Sequence, residues 1–246
     1  MDHSREGLIT ELGEMVAGSH STVFFGGAGV STESGIPDFR SDTGLYTIES
    51  GGKYPPEYML SHSCFVNHPE DFFEFYRTKM LYPDAHPNDT HRALAKLERS
   101  GKVSGVVTQN IDGLHQMAGS NRVYELHGSV HRNYCMRCGA AYELDFILAT
   151  EGVPHCAQCG GIVKPDVVLY EEALDDAVVS GALAAIREAD VLIIGGTSLN
   201  VYPAAGMIHS FHGSHLVLIN KSATPADSAA DLVIHDSLGE VFAALL

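Results

Sequence analysis

Apolar residues follow two rhythms along this chain. Leu8, Ile9, Leu12, Met15 and Val16 recur at helical spacing, and Thr22-Val23-Phe24-Phe25 follows as an unbroken β-branched and aromatic run. Runs of that kind suit strands buried on both faces, as in a parallel sheet. Phe72, Phe73, Phe75, Tyr76 and Met80 predict a helix over Pro69 to Met80, and Asn88 or Asp89 can cap another from Thr90 to Arg99. Val103 to Val107 and Val123 to Leu126 read as strands, and Val167 to Leu169 as a further apolar segment. Alternation then continues with a helix over Leu174 to Glu188, a strand over Val191 to Ile194 and a helix over Ala204 to Phe211. Strands at Leu216 to Ile219 and Leu232 to Ile234 precede a closing helix from Leu238 to Leu246. The stretch from Ser41 to Pro56, rich in Gly, Ser, Thr, Tyr and Pro without periodicity, reads as a lid loop. The expected fold class is α/β, a mostly parallel, doubly wound sheet.

Composition narrows the partners. The 246 residues are 45% hydrophobic, enough to fill a substantial core. Fifteen Lys and Arg against 31 Asp and Glu give a formal charge of −16, which opposes adhesion to nucleic acid or anionic membranes and favours lysine-bearing partners. The first residues lack a basic head with an apolar core, and no apolar run approaches the roughly 18 residues of a membrane span. A cytoplasmic protein is expected.

Chemistry is concentrated where strands end. Gly26-Gly27-Ala28-Gly29 follows the first strand, and such a turn lets the backbone approach a pyrophosphate without interference from Cβ. Ser31, Thr32 and the block Gly35-Ile36-Pro37-Asp38-Phe39-Arg40 come next. The place of a third fingerprint glycine is taken by Thr32, and no acidic residue ends a second strand about twenty residues on, which disfavours a hydride-transfer enzyme. Thr108-Gln109-Asn110-Ile111-Asp112 follows another strand, and amide and carboxylate side chains there suit a ribose and a carboxamide. Asn110 and Asp112 lie two residues apart, on one side of an extended chain. Glu125-Leu126-His127-Gly128 ends the next strand, so His127 is the preferred general base among the fourteen histidines. His115 is expected to face the helix beginning near Asp112. Gly196-Thr197-Ser198 and Asn220 repeat the pattern at two later strand ends.

Cys135-x-x-Cys138 and Cys156-x-x-Cys159, separated by seventeen residues, have the spacing of a tetrahedral zinc site. Four thiolates leave no open position for water, so the zinc is expected to be structural. The intervening ribbon carries few cations and little phosphate affinity. Cys64 is assigned no role.

Taken in order, these motifs span nearly the whole chain and resemble the sirtuins, the NAD-dependent protein deacylases. The resemblance implies a Rossmann-like NAD-binding domain from residues 1–45, 89–127 and 166–246, a zinc ribbon at 128–165, and a helical insertion with the cofactor lid loop at 46–88. It implies NAD contacts from Gly27, Ala28, Gly29, Ser31, Thr32, Asp38, Phe39, Arg40, Gln109, Asn110, Ile111, Asp112, His127, Gly196, Thr197, Ser198 and Asn220, with Asp236 near the adenine. His127 would be the catalytic base, assisted by Asn110 and Asp112. Val167, Val168 and Leu169 would pair with the backbone of an acetyl-lysine-bearing protein substrate. The products would be free lysine, nicotinamide and O-acetyl-ADP-ribose. Tyr170-Glu171-Glu172 stands where relatives more often have Phe-Gly-Glu. Tyr76-Arg77-Thr78-Lys79 carries Lys where desuccinylating relatives carry Arg, favouring acetyl-lysine over succinyl-lysine. Protein mono-ADP-ribosyl transfer and a non-catalytic NAD-sensing adaptor remain the alternatives.

Overall fold

The computed structural model describes residues 4–39, 41, 44–48 and 54–245. Helix α1 (Arg5–Gly18) is capped by Ser4, whose hydroxyl accepts from Gly7 N at 3.1 Å, and it buries Ile9, Leu12 and Val16. It leads into β1 (Thr22–Gly26), buried along its whole length. Short helices α2 (Leu45–Ile48), α3 (Pro56–Met59) and α4 (His62–Asn67) precede α5 (Pro69–Lys79) and α6 (Asp89–Arg99). Then come β2 (Val103–Thr108), α7 (Leu114–Met117), β3 (Val123–Glu125), β4 (Gly128–Cys135), β5 (Ala141–Tyr142), α8 (Leu144–Ala149) and β6 (Val163–Val167). The chain closes through α9 (Asp176–Glu188), β7 (Val191–Gly195), β8 (His215–Ile219), β9 (Leu232–Ile234) and α10 (Leu238–Ala243).

Six strands form one parallel sheet in the order β3-β2-β1-β7-β8-β9. Side-chain alternation along β1 explains why the run carries no polar residue after Thr22. Phe24 joins α1, α6 and α10 on one face, while Val23 and Phe25 join α9 on the other. No described helix is long and apolar enough to cross a membrane.

A second, antiparallel sheet has the order β5-β4-β6. Its apolar side shares one cluster with the helices before α6. Phe65, Phe72, Phe73 and Tyr76 pack with Cys135, Ile147, Cys156 and Val163, so ribbon and helical insertion have a common core.

The sequence misjudged several boundaries for local reasons. Asp175 accepts from Ala177 N and Val178 N, so α9 begins after the predicted Leu174. Ala204–Ser210 is a 3₁₀ helix rather than an α-helix, with Gly206 near its middle. The apolar segment read at Val167 to Leu169 only overlaps the end of β6, whose inward Val163, Pro165 and Val167 alternate with outward Lys164 and Asp166 and so leave no unbroken apolar run. Part of the expected lid loop, including residues 49–53, lies outside the described residues, as does Arg40 just before it; within the loop α2 forms a short helix.

The four ribbon cysteines converge with their sulfurs all within 4.8 Å of one another. Cys135 Sγ and Cys159 Sγ are 3.4 Å apart and Cys138 Sγ and Cys156 Sγ 3.6 Å, close to the about 3.8 Å between sulfurs of a tetrahedral zinc–thiolate site. Tyr142 Oη donates to Cys156 Sγ at 3.1 Å and accepts from Ala157 N, and this bond pulls the Cys156 thiol down to about 6. Arg137 N and Gln158 N aim at Cys135 and Cys156 sulfurs. The donor set fits a structural zinc. Metal analysis of the purified protein is expected to give about one zinc per chain. Cys156→Ser should lose the metal and lower the melting temperature by about 20 °C or more, since binding energy of such sites is folding energy of about 10 kcal/mol or more; full stability without zinc would contradict the assignment.

Candidate active site

Strands β1 and β7 are neighbours in space although most of the chain lies between them, and ligands of open α/β sheets collect outside the carboxyl ends at such a switch. Two glycine turns meet there. Gly29 N donates to Gly196 O at 2.8 Å and Gly27 N to Gly195 O at 3.2 Å. A Cβ on Gly29 would sit 2.8 Å from Gly196 Cα, and one on Gly196, at φ +61°, 2.5 Å from Val30 N. Glycine is required on both sides of this contact. The turn opens onto a cavity of about 1290 Å³, roomier than most single-ligand pockets.

Behind the turn, Ser31 links two predicted residues. Asn110 Nδ2 donates to Ser31 Oγ at 3.1 Å, and Ser31 Oγ donates to Asp112 Oδ2 at 2.6 Å. Asp112 Oδ1 accepts from Leu114 N at 2.9 Å, so the carboxylate also starts α7. Burial raises the Asp112 carboxyl above its ordinary range, and the Ser31 and Leu114 hydrogen bonds work against that rise. Asn110 is seated in turn by its backbone N–H on Thr108 Oγ1 at 3.0 Å.

His127 lies just after β3. Its Nδ1 lies 2.9 Å from Gln109 O, and because a carbonyl can only accept, Nδ1 carries the proton. Nε2 is thereby left as the lone-pair nitrogen of a ring that lines the cavity. Burial lowers the imidazole from its ordinary value while the Gln109 bond opposes that shift. The His127 carbonyl accepts from Val168 N at 3.0 Å, tying the ring's backbone to the segment after β6. Gly128, at φ +78°, permits this, since a Cβ there would lie 1.9 Å from Asp166 O.

The remaining expected residues line the same cavity. Ala28, Thr32, Asp38 and Phe39 come from the glycine turn and the segment after it, Gln109 and Ile111 from the β2 end, and Thr197, Ser198, Asn220 and Asp236 from the ends of β7, β8 and β9. Gln109 Nε2 donates to Thr197 Oγ1 at 3.1 Å, fastening two of these strand ends. Asp236 pairs with Arg5; burial raises its carboxyl, but the Arg5 bond, with other donors, outweighs that and holds it below its usual range. Val167, Val168 and Leu169 line the wall beside His127. Arg40 is outside the described residues. His115 is 1% exposed among core residues, its ring 4.6 Å from that of His91, and burial keeps it neutral.

Sequence reasoning missed some supporting residues. His131 Nε2 donates to Asp112 O at 3.0 Å, and its ring lies where a Cβ on Gly113 would be 2.7 Å away. Asn88, expected only as a helix cap, also donates through Nδ2 to Val30 O at 2.7 Å and Ser34 Oγ at 3.0 Å, steadying the turn from behind. Both act across sequence separations that no local pattern signals. Tyr76 and Lys79, by contrast, were singled out in the sequence for the acyl pocket, and both line the cavity, with the Tyr76 hydroxyl fully buried and its ionisation pushed up by burial.

The Sir2 family model matches residues 27–203. A protein of Clostridium acetobutylicum named NAD-dependent protein deacetylase is 63% identical over 234 residues, covering 95% of this chain and 96% of the relative. Bearers of the same name from Cutibacterium acnes and Staphylococcus aureus are 60% and 46% identical, over 96% and 97% of this chain and 96% and 98% of theirs. Among solved structures, a Sir2 enzyme aligns with TM-score 0.87 and 39% identity over 98% of this chain and 96% of its own. A complex of Sir2, p53 peptide and NAD+ aligns with TM-score 0.84 and 37% identity over 96% of each chain. With a match from the glycine turn to beyond β7 and identities of this size over almost its full length, the chain belongs to the Sir2 family.

Proposed function

We propose that this protein is an NAD-dependent protein-lysine deacetylase acting in the cytoplasm, which releases free lysine, nicotinamide and O-acetyl-ADP-ribose. The observation that carries the reading is the tautomer of His127: a proton held on Nδ1 by Gln109 O leaves Nε2 unprotonated in a cavity bounded by the glycine turn and by Val167 to Leu169. In this reading segments 1–45, 89–127 and 166–246 hold the dinucleotide, 46–88 supply the helical insertion and the cofactor lid loop, and the acyl-lysine lies in the cleft between the large domain and the module formed by that insertion and the ribbon at 128–165. The names of the relatives and the NAD+ and peptide of the neighbouring Sir2 complex support it.

When bound, NAD supplies a ribose carbon from which nicotinamide can depart in favour of the acetyl oxygen. The chain's own residues supply position and proton transfer. Gly27, Ala28 and Gly29 let the backbone approach the pyrophosphate, with Ser31, Thr32, Gly196, Thr197 and Ser198 beside it. Asn220 and Asp236 take the adenosine end. Asn110 and Asp112, held by Ser31, orient the nicotinamide half together with Asp38, Arg40, Gln109 and Ile111. Phe39 covers the reacting face and keeps water from it. Val167, Val168 and Leu169 take the peptide as an added strand, which aims the acyl-lysine toward His127. His127 Nε2 then accepts the proton of a ribose hydroxyl, activating it for attack on the acyl carbon. Beside the acyl group, Lys79 presents a point charge without the bidentate fork of arginine.

Incubation with an acetyl-lysine peptide and NAD should release nicotinamide and lower the peptide mass by one acetyl group, whereas ADP-ribose left on the acceptor would indicate the transferase chemistry instead. His127→Ala should reduce kcat/KM about 10²- to 10⁴-fold, the usual contribution of a general base. Because the base must be neutral and its pKa is lowered by burial, activity should hold at neutral pH and fall only as pH drops through a midpoint below about 6.5; a midpoint above that value would contradict the assignment. With peptides of equal sequence, kcat/KM for acetyl-lysine should exceed that for succinyl-lysine by at least about tenfold, and Lys79→Arg should narrow the gap.

A further inference from the structure

Two tyrosines join the segment after the glycine turn to the segment after β6. Their hydroxyl oxygens, Tyr46 Oη and Tyr170 Oη, lie 2.6 Å apart, hydrogen-bonded across 124 residues of sequence. On the dinucleotide side, Tyr46 N donates to Phe39 O at 2.9 Å and the two rings meet edge to face with centroids 5.5 Å apart. Phe39 and Tyr46 both line the cavity.

The other tyrosine is set in a fixed frame. Tyr170 N donates to Leu60 O and Tyr170 O accepts from His62 N, both at 3.0 Å, which makes a parallel bridge at Ser61. The next residue, Glu171, is left-handed at φ +75°, a conformation that a side chain other than glycine adopts only when its surroundings impose it. Its carboxylate accepts from Ser63 N at 2.9 Å and Ser63 Oγ at 2.7 Å. Glu172 accepts from Leu169 N at 2.9 Å and Lys164 Nζ at 3.1 Å. These bonds fix the backbone on both sides of Tyr170, the residue that follows Leu169, while Tyr46 reaches its hydroxyl from the Phe39 side.

We propose that the Tyr46–Tyr170 hydroxyl pair is a positioning device that couples the two substrates: it sets Phe39 against Val167 to Leu169, so that dinucleotide and acyl-lysine peptide strengthen one another's binding. The inference rests on the deacetylase reading for the identity of its ligands. Linkage makes the coupling reciprocal, so each ligand tightens the other by one common factor. Neither tyrosine is required to touch a reacting atom; both act through the groups they hold in place.

The test is calorimetry with ADP-ribose, which cannot be turned over, in the absence and presence of saturating acetyl-lysine peptide. Wild type, Tyr46→Phe, Tyr170→Phe and the double variant are compared, each retaining its rings and losing only hydroxyls. Peptide is expected to tighten ADP-ribose binding about three- to tenfold in the wild type, the worth of one hydrogen bond, and less than about twofold in either single variant. The double variant should be no worse than the singles, as partners in one bond require. In turnover, KM for NAD should rise more than kcat falls, with melting temperatures within about 5 °C of the wild type, a split that mere destabilisation does not produce. Equal tightening in all four proteins, no tightening in the wild type, or losses that add in the double variant would overturn the coupling. Coupled binding without nicotinamide release would instead overturn the deacetylase reading and leave the pair standing.

Discussion

Everything in the site is indexed to one backbone contact, the close approach of the Gly27-Ala28-Gly29 turn to Gly196. With Gly29 N on Gly196 O at 2.8 Å and no room for a Cβ on either side, the ends of β1 and β7 are locked in register at the switch of the sheet. Gln109 N then reaches Gly26 O at 3.0 Å, which sets the β2 end against the same turn. From Gln109 the frame passes to His127 through a carbonyl and to Thr197 through a side-chain amide. A methyl group at position 29 would displace several residues that lie far from it in sequence.

Electrostatics at the site follow from burial more than from formal charge. The chain carries a net −16, yet among the described residues no charged pair governs His127; its partner is a neutral carbonyl, and desolvation sets the direction of its shift. Asp112 is also governed by burial, but its two hydrogen-bond donors favour the ionised form. An imidazole kept neutral and a carboxylate supplied with donors thus line one cavity, which lets proton acceptance and ligand orientation be divided between different side chains.

Much of the sheet was legible because its strands are short apolar runs bounded by glycine or polar residues, and buried parallel strands leave that pattern unbroken. Motifs at strand ends were legible for a related reason: topology brings those ends together, so residues read as separate blocks share one cavity. Short helices such as α3 and α4 escaped notice because four to six residues give too few turns for a period to register. β6 was displaced in the reading by its polar outward residues. Asn88 and His131 were hidden for a different reason. Each acts on a backbone carbonyl, and nothing in a local window marks which carbonyl a distant amide or ring will meet.

The shared core of ribbon and helical insertion has a consequence for modularity. Phe65, Phe72 and Tyr76 pack against Cys135, Cys156 and Val163, and Tyr76 is also part of the cavity wall. Two stretches that enter and leave the large sheet at different places are therefore one architectural unit. Recombination between homologues that exchanged the cysteine ribbon alone would pair it with foreign aromatic residues, and the misfit would be felt at the Tyr76 wall of the cavity. A change of side-chain volume in either stretch is therefore met by the packing of the other.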